Sequence, residues 1–128
     1  MTTNAMQMTP TGGPGLHLNL GEKVPIKQST LTVTETDVAV LPRLRDYLMG
    51  VARARGTVTY TEVKVDLELP HAVNGLGRLL DLLSVECVDR RGEPSLAALV
   101  VAQDTGEVGA DFEGDPVATR DEVYAHWG

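Results

Sequence analysis

The chain has 128 residues, 42% of them hydrophobic and 4% aromatic, and its formal net charge is −7 at pH 7. This length is typical of one domain, and the apolar content is enough for a core of Leu, Val and Ala without a structural metal. The single cysteine, Cys87, excludes an intramolecular disulfide. The negative charge provides no general attraction to nucleic acid or to anionic lipid.

Several simple features predict the location of the protein and its cofactor needs. No run approaches the roughly 20 apolar residues that a membrane-spanning helix requires. The first eight residues hold neither a basic region nor an apolar stretch, so we expect no secretory signal. We therefore predict a soluble, cytoplasmic protein that does not bind membranes. The three histidines lie far apart in the sequence, and we expect neither a metal nor a cofactor.

Two segments precede the first predicted helix. Residues 1–15 are rich in turn formers and predict a flexible arm. Residues 16–20 and 31–34 alternate apolar and polar side chains, which is the period of a β-strand, and residues 21–25 break between them. Residues 16–36 thus predict either a hairpin or an extended arm that pairs with a second subunit.

The first helix is predicted over residues 37–55, because leucines recur there at three- and four-residue steps while arginines occupy the opposite side. Proline is tolerated best in the first turn of a helix, so Pro42 predicts a start only a few residues before it. Gly56 is expected to end this helix in the left-handed conformation that glycine favours.

Two more helices are predicted after a short extended piece at residues 57–59. Thr59 and Glu62 form the pattern of a capping box, which begins a second helix that continues to about residue 67. A third helix is expected over residues 71–91. Its buried face comprises Leu76, Leu79, Leu80, Leu83 and Cys87.

The last third of the chain predicts a hairpin and a helix. Residues 96–101 form a continuous apolar run, which is typical of a strand buried on both faces, and a turn at 104–106 leads to a return over 107–112. Thr119 and Glu122 repeat the capping-box pattern and begin a last helix that ends near Trp127.

The order of these elements is helix, short strand, two helices and a hairpin, which is the order of a winged helix. We therefore predict an α+β fold with a winged helix-turn-helix domain over residues 37–128. In this domain three helices and a β-hairpin wing precede a C-terminal helix.

Four short motifs occur in order from residue 59 onward. They are Thr-Tyr-Thr-Glu at 59–62, Asn-Gly-Leu-Gly at 74–77, a hairpin with two spaced glycines and an aromatic at 106–112, and a helix at 120–127. In this order they resemble the DNA-binding domain of the DNA alkyltransferases and alkyltransferase-like proteins, where the first two motifs read Thr-Tyr-Gly-Glu and Arg-Ala-Val-Gly. The resemblance covers about half of the chain and implies a shared winged-helix shape.

The chain departs from that family at the reactive site. The family carries its alkyl-accepting cysteine in a Pro-Cys-His-Arg signature just before the hairpin strand, whereas this chain has Pro-Ser-Leu-Ala at 94–97. Without a thiolate at this place, alkyl transfer has no nucleophile. Asn74 also stands where the family inserts an arginine into the duplex. The resemblance therefore implies a shared shape and not a shared reaction.

Three residues on the third helix form a candidate recognition face. His71, Asn74 and Arg78 lie at positions i, i+3 and i+7 and so share one side of the helix. In a helix-turn-helix these positions meet base edges, and Asn and Arg make bidentate contacts there. An ordinary solvated helix face explains the same spacing. Tyr60 has two open interpretations as well, a place at the DNA surface or packing of its ring against the first helix.

Cys87 is the one candidate nucleophile, and it lies in register with the buried leucines of the third helix. A free cysteine in such a position behaves as a small hydrophobic residue. We therefore interpret Cys87 as structural. No paired catalytic groups, phosphate-binding loop or metal cluster is recognisable in the sequence, and we do not expect an enzyme.

Two functions are predicted. The first is a non-enzymatic regulatory protein that associates, as a homodimer, with double-stranded DNA or with a DNA-bound complex. Its contacts with DNA would come from Tyr60, Lys64, His71, Asn74, Arg78, Arg43, Arg45, Arg53 and Arg55. The alternative is an acidic protein-interaction module or adaptor. Its contacts would come from the acidic C-terminal segment, and in particular from Asp111, Glu113 and Asp115.

The positions of six basic residues discriminate between the two functions. DNA binding by a protein of net charge −7 requires a local cluster of bases around the start of the third helix. If these residues do not cluster there, DNA binding loses its main support. The six are Arg43, Arg45, Arg53, Arg55, Lys64 and Arg78.

Overall fold

The computed structural model describes residues 16–26, 29–69, 76–103, 105–108 and 114–128. These residues form a mixed α and β structure in which helices predominate and two small sheets have two strands each. The predicted α+β class is therefore confirmed. The predicted arm at residues 1–15 lies outside the described residues. Across the part of the chain that the structure describes, every helix is too short or too polar to span a membrane.

A β-hairpin is present near the N-terminus, but its first strand differs from the prediction. Strand β1 (Lys23–Pro25) pairs antiparallel with β2 (Thr30–Thr32), so the strand lies where we predicted a break. Residues 16–20 are not a strand, because Leu18 is fully buried in the core and Gly21 turns the chain at a φ of +81°. The alternation in this segment therefore reflects the burial of one leucine and not a strand ladder.

Helix α1 (Glu35–Arg53) begins slightly earlier than predicted. Thr34 and Asp37 form a capping box, in which the Asp37 N–H donates to Thr34 Oγ1 at 3.2 Å and the Thr34 N–H donates to the Asp37 carboxylate at 2.8 Å. Pro42 is thus the eighth residue of the helix and not part of its first turn. Such a proline costs roughly 3 kcal/mol. Burial of several leucines and valines along this helix, each contributing about 1.5–3 kcal/mol, outweighs that cost.

The end of α1 also corrects a prediction. The left-handed residue is Arg55, with a φ of +55°, and not Gly56. The Arg55 N–H donates to the Ala52 carbonyl at 2.9 Å and the Gly56 N–H donates to the Val51 carbonyl at 3.1 Å. This pair of bonds is a Schellman motif, which satisfies carbonyl groups that the end of a helix leaves without partners.

The second helix agrees with the prediction. Strand β3 (Val58–Thr59) leads into α2 (Tyr60–Asp66), and both bonds of the Thr59–Glu62 capping box are formed, at 2.9 and 3.1 Å. Helix α2 ends in a second Schellman motif, in which Glu68 takes the left-handed conformation with a φ of +52°.

The third helix has two parts. Helix α3 (Leu76–Ser84) continues without a break into a π-helical turn (Val85–Arg90). The predicted buried face is confirmed, since Leu76, Leu79, Leu80, Leu83 and Cys87 are all buried. In a π-helical turn the backbone hydrogen bonds join residues five positions apart and not four. The side chains that follow the turn therefore point in a different direction from those of a continuous α-helix. The predicted first turn, over residues 71–75, lies outside the described residues.

The apolar run at residues 96–101 is buried as predicted, but most of it is not a strand. Leu96–Leu99 form a 3₁₀-helix that Ser95 caps by accepting from the Ala97 N–H at 3.2 Å. Only β4 (Val100–Val101) is extended, and it pairs parallel to β3. The predicted turn follows, where the Ala102 N–H donates to the Glu107 carbonyl at 2.8 Å. Residues 105–108 contain no strand, and 109–113 lie outside the described residues.

Helix α4 (Pro116–Trp127) begins earlier than the predicted capping box at Thr119 and Glu122. Asp115 is the actual cap, and its carboxylate accepts from the N–H groups of Val117 and Ala118 at 2.9 and 3.3 Å. Pro116 follows at the first helical position, where proline is favoured. Helix α1 lies at the centre of the fold and packs against α3, the 3₁₀-helix and α4.

Candidate functional site

Arg45, one of the predicted phosphate contacts, points into the protein. Its guanidinium donates two hydrogen bonds to the Glu93 carboxylate, at 2.7 and 3.1 Å, and lies 5.8 Å from the centre of the Trp127 ring. Only 12% of the side chain is exposed. This arginine joins α1 to the end of the chain and is not available to a phosphate.

Arg78, the basic member of the predicted recognition face, is held in a second ion pair. It donates to both carboxylate oxygens of Asp37 at 2.7 and 2.9 Å and to the Thr32 carbonyl at 2.7 Å. Asp37 is only 1% exposed. Burial alone would raise the pKa of the Asp37 carboxyl, but the hydrogen bonds from Arg78 and Thr34 outweigh it and leave the pKa below its ordinary value. Arg78 therefore joins α3, α1 and β2.

Arg43, Lys64 and Tyr60 come together at α2. The exposed Arg43 guanidinium donates to the Leu67 carbonyl at 2.6 Å, one turn beyond Lys64, and Tyr60 lies one turn before Lys64. The Tyr60 side chain is partly buried and packs against the core. Basic and acidic side chains are mixed on this surface, because α2 and its end also expose Glu62, Asp66 and Glu68.

Arg53 and Arg55 lie at the other end of α1. Arg53 lies sixteen positions after Asp37, the partner of Arg78, which corresponds to about 24 Å along a helix. The Arg55 guanidinium lies 5.9 Å from the centre of the Tyr124 ring on α4. Arg45, Arg53 and Arg55 therefore lie away from Arg78 and do not join a cluster of bases around the start of α3. The remaining two predicted contacts, His71 and Asn74, lie outside the described residues.

The predicted acidic contacts are described only in part. Asp111 and Glu113 lie outside the described residues, and Asp115 is exposed but caps α4. Glu107 forms an ion pair with Arg120 at 2.5 Å. On α4 itself, Asp121 and Glu122 are exposed, and no described basic side chain forms an ion pair with either of them.

A groove that we did not predict separates α4 from the end of the π-helical turn. It has a volume of about 780 Å³. Val88, Pro94 and Ala125 supply apolar surface, and Ser95, Glu122 and His126 supply polar groups. The residues of α4 that line it recur at three- and four-residue steps, but the opposite wall depends on the path of residues 92–95, which no periodicity specifies.

A buried carboxylate, Glu86, is the other feature that the sequence analysis missed. Glu86 is 0% exposed, and its two oxygens accept from the His17 N–H at 2.9 and 3.0 Å and from Arg91 Nε at 2.7 Å. Arg90 donates to the His17 carbonyl at 3.0 Å and forms an ion pair with Glu22. Side chains of the π-helical turn thus bind the backbone of residue 17 and anchor the N-terminal segment.

The side chains that could act as nucleophiles at this end of the third helix are buried. Cys87 is fully buried, and this burial raises the pKa of its thiol, which disfavours the reactive thiolate. The Ser95 hydroxyl lies 2.7 Å from the Ser84 hydroxyl and is also buried. Within the described residues, no three His, Cys, Asp or Glu side chains are arranged to hold a metal ion.

Comparison of the chain with protein-family models, with curated proteins and with solved structures found no match. No relative's function therefore extends to this chain.

Proposed function

We propose that the chain is a non-enzymatic adaptor that binds a protein partner with a basic surface, on a scaffold of the winged-helix type. The observation that carries this proposal is that the basic residues predicted to contact DNA are bound by acidic residues of the protein or lie apart from one another. Arg45 is bound to Glu93 and is largely buried, and Arg78, whose side chain is 36% exposed, is bound to both oxygens of the buried Asp37. Of the other described predicted contacts, Arg53 and Arg55 lie at the C-terminal end of α1, and Arg43 and Lys64 lie beside acidic residues of α2, so these bases do not supply the strong local cluster that DNA binding by an acidic protein requires.

The winged-helix scaffold is inferred from the order of elements. Helix α1, the short strand β3, helix α2 and helix α3 follow one another as they do in a winged helix, and β4 follows α3. The first strand of a wing would be β4, and the turn closed by the Ala102 and Glu107 backbones follows it. The adaptor function depends on the surface of this scaffold and not on the identity of the family.

The exposed charge of the molecule favours a basic partner. Acidic side chains are exposed on two helices: Glu62 and Asp66 on α2, and Asp121 and Glu122 on α4. Such a surface steers a positively charged partner toward the protein and repels a phosphate backbone. The net charge of −7 extends this preference to the whole chain.

Association with DNA, as a homodimer, is the second candidate function. The observation in its favour is the position of Arg43, whose guanidinium reaches the end of α2 close to Lys64 and Tyr60. In this function Arg43 and Lys64 would bind phosphate, and His71 and Asn74 would contact the bases. The adjacent acids Glu62, Asp66 and Glu68 oppose such binding.

Titration of labelled duplex DNA at low salt tests the choice between the two functions. We expect no binding at tens of micromolar protein, a range in which even non-specific DNA-binding proteins associate. Capture from a nuclease-treated lysate should retain a protein partner that high salt releases. DNA binding that the double variant Arg43→Ala, Lys64→Ala abolishes would instead establish the DNA-associated function.

A further inference from the structure

We propose that the groove beside α4 is the docking site for the basic partner and that it receives an aliphatic side chain flanked by Lys or Arg. This inference rests on the proposed adaptor function and specifies its site. The aliphatic side chain lies between Val88 and Ala125, and the cation pairs with Glu122 on the rim.

The apolar part of the groove is open to solvent. Val88 is 49% exposed, although its neighbours in the π-helical turn, Glu86 and Cys87, are fully buried. Pro94 and Ala125 continue the apolar surface from Val88 to α4. Burial of such surface by an aliphatic side chain is favourable in proportion to the area removed from water.

Both walls of the groove are fixed before a partner binds. Glu93 is bound to Arg45, and the Ser95 hydroxyl lies 2.7 Å from that of Ser84. On the other side the Tyr124 hydroxyl donates to the Gly56 carbonyl at 2.8 Å, and Val123 is fully buried. A preformed groove reduces the entropy lost on binding, which makes association with a short segment more favourable.

The negative charge at the rim of the groove favours a positively charged ligand. The negative charge of Glu93 is compensated by Arg45, whereas Glu122 has no ion pair among the described residues. Asp121 and Asp89, which precede Glu122 and follow Val88 in the sequence, are exposed as well. The arginines that follow Asp89 do not compensate these charges, because they are bound to Glu22 and Glu86. An acidic peptide or a nucleic acid phosphate is therefore repelled here.

Three labelled short peptides serve as probes: one with alternating Arg and Leu, one with alternating Glu and Leu, and one with alternating Lys and Ser. We expect fluorescence anisotropy to detect binding of the Arg–Leu peptide only. The other two lack either the cation or the aliphatic side chain. Equal binding of the Lys–Ser peptide would mean that charge alone attracts the probe, and it would overturn the proposal.

Two matched pairs of variants locate the site. Glu122→Lys and Asp121→Lys change the net charge equally on adjacent residues, but only Glu122 lines the groove. We expect Glu122→Lys to weaken binding about tenfold and Asp121→Lys to weaken it by about twofold, since a charge in contact has a larger effect than one nearby. Val88→Ser should weaken binding about fivefold, because it removes apolar contact with the ligand. Val65→Ser changes an equally apolar residue that is also exposed, on α2 and away from the groove, and should leave binding unchanged.

The outcomes separate the site from the function. Thermal unfolding of each variant confirms that it is folded. Equal effects of Glu122→Lys and Asp121→Lys, or no effect of Val88→Ser, overturn the groove as the docking site. If a captured protein partner is bound equally well by these variants, the adaptor function stands and the groove does not. Binding of duplex DNA with no binding of any peptide overturns both.

Discussion

The ion pairs around α3 and the exposed acidic residues of α4 use charge in opposite ways. Around α3, the ion pairs Arg78–Asp37 and Arg91–Glu86 hold elements together, and each contains a carboxylate that is almost completely buried. On α4, Asp121 and Glu122 are exposed and have no described basic partner. The first set of charges stabilises the fold, and the second is available to another molecule.

This difference changes which role the arginines of the sequence should be assigned, phosphate contact or ion-pair partner. Arginines on the solvent side of a predicted helix resemble phosphate contacts when they are counted from the sequence. In the folded chain, a buried carboxylate has to be paired, because an unpaired charge in the interior costs several kcal/mol. The buried carboxylates Asp37 and Glu86 therefore determine what Arg78 and Arg91 do. The partly exposed Glu93 binds Arg45 in the same way.

Glu86→Gln is expected to have the largest effect on stability. It removes the charge that binds Arg91 and weakens the two bonds to the His17 N–H, so the free energy of unfolding should fall by about 2–4 kcal/mol. Asp89→Asn, on the exposed side of the same π-helical turn, should change it by about 0.5 kcal/mol or less. Urea denaturation measures both. Equal effects would mean that Glu86 does not anchor the N-terminal segment.

Asp37→Asn should have the next largest effect, a loss of about 1–3 kcal/mol. The substitution breaks the ion pair with Arg78 and weakens the cap of α1. Asp46→Asn on the exposed side of α1 is the control. A loss no larger than that of the control would contradict the role of Asp37.

The same residue predicts a pH dependence. The pKa of Asp37 is lowered in the folded state from its ordinary value of 3.8, so the unfolded chain binds this proton more tightly. The stabilisation by Asp37 is therefore fully present above its ordinary pKa and is lost as the pH falls through its folded pKa. Acid unfolding followed by circular dichroism should show a shallower loss of stability below pH 3.8 for Asp37→Asn than for the wild type. Identical acid-unfolding curves for Asp37→Asn and the wild type would contradict the assignment of this pH dependence to Asp37.

Glycine at the two left-handed helix ends is expected to give the smallest effects, and both are gains. Glu68→Gly should raise the free energy of unfolding by about 0.5–1 kcal/mol, because a side chain disfavours a positive φ. Arg55→Gly should gain less, since it also removes the contact of the guanidinium with Tyr124. A loss of stability in Glu68→Gly would show that its side chain makes a compensating interaction.

Local signals predicted part of the fold well. The Thr59–Glu62 capping box and the apolar face of the third helix are specified by residues only three or four positions apart, and the structure confirms both. The π-helical turn and the 3₁₀-helix were missed, because tertiary packing and not periodicity determines how tightly these residues wind. The start of α1 was predicted two residues too late, because its cap, Thr34, precedes the apolar repeat.

The candidate site was less predictable than the fold. The Arg78–Asp37 pair joins residues 41 positions apart, and the bond from the His17 N–H to Glu86 joins residues 69 positions apart. No spacing rule in a single sequence brings such residues together. The groove likewise requires Val88 and Ala125 to face each other across separate elements, which only the folded chain establishes.

The most direct test of the adaptor function is an NMR titration of the isotopically labelled chain, first with the Arg–Leu peptide and then with duplex DNA. We predict that the peptide shifts the amide signals of Val88, Gly92 and Ala125 and that DNA at low salt shifts none of the assigned signals. Shifts caused by DNA at Lys64 and Arg43, with no peptide-induced shifts along the groove, would contradict the adaptor function and support the DNA-associated one.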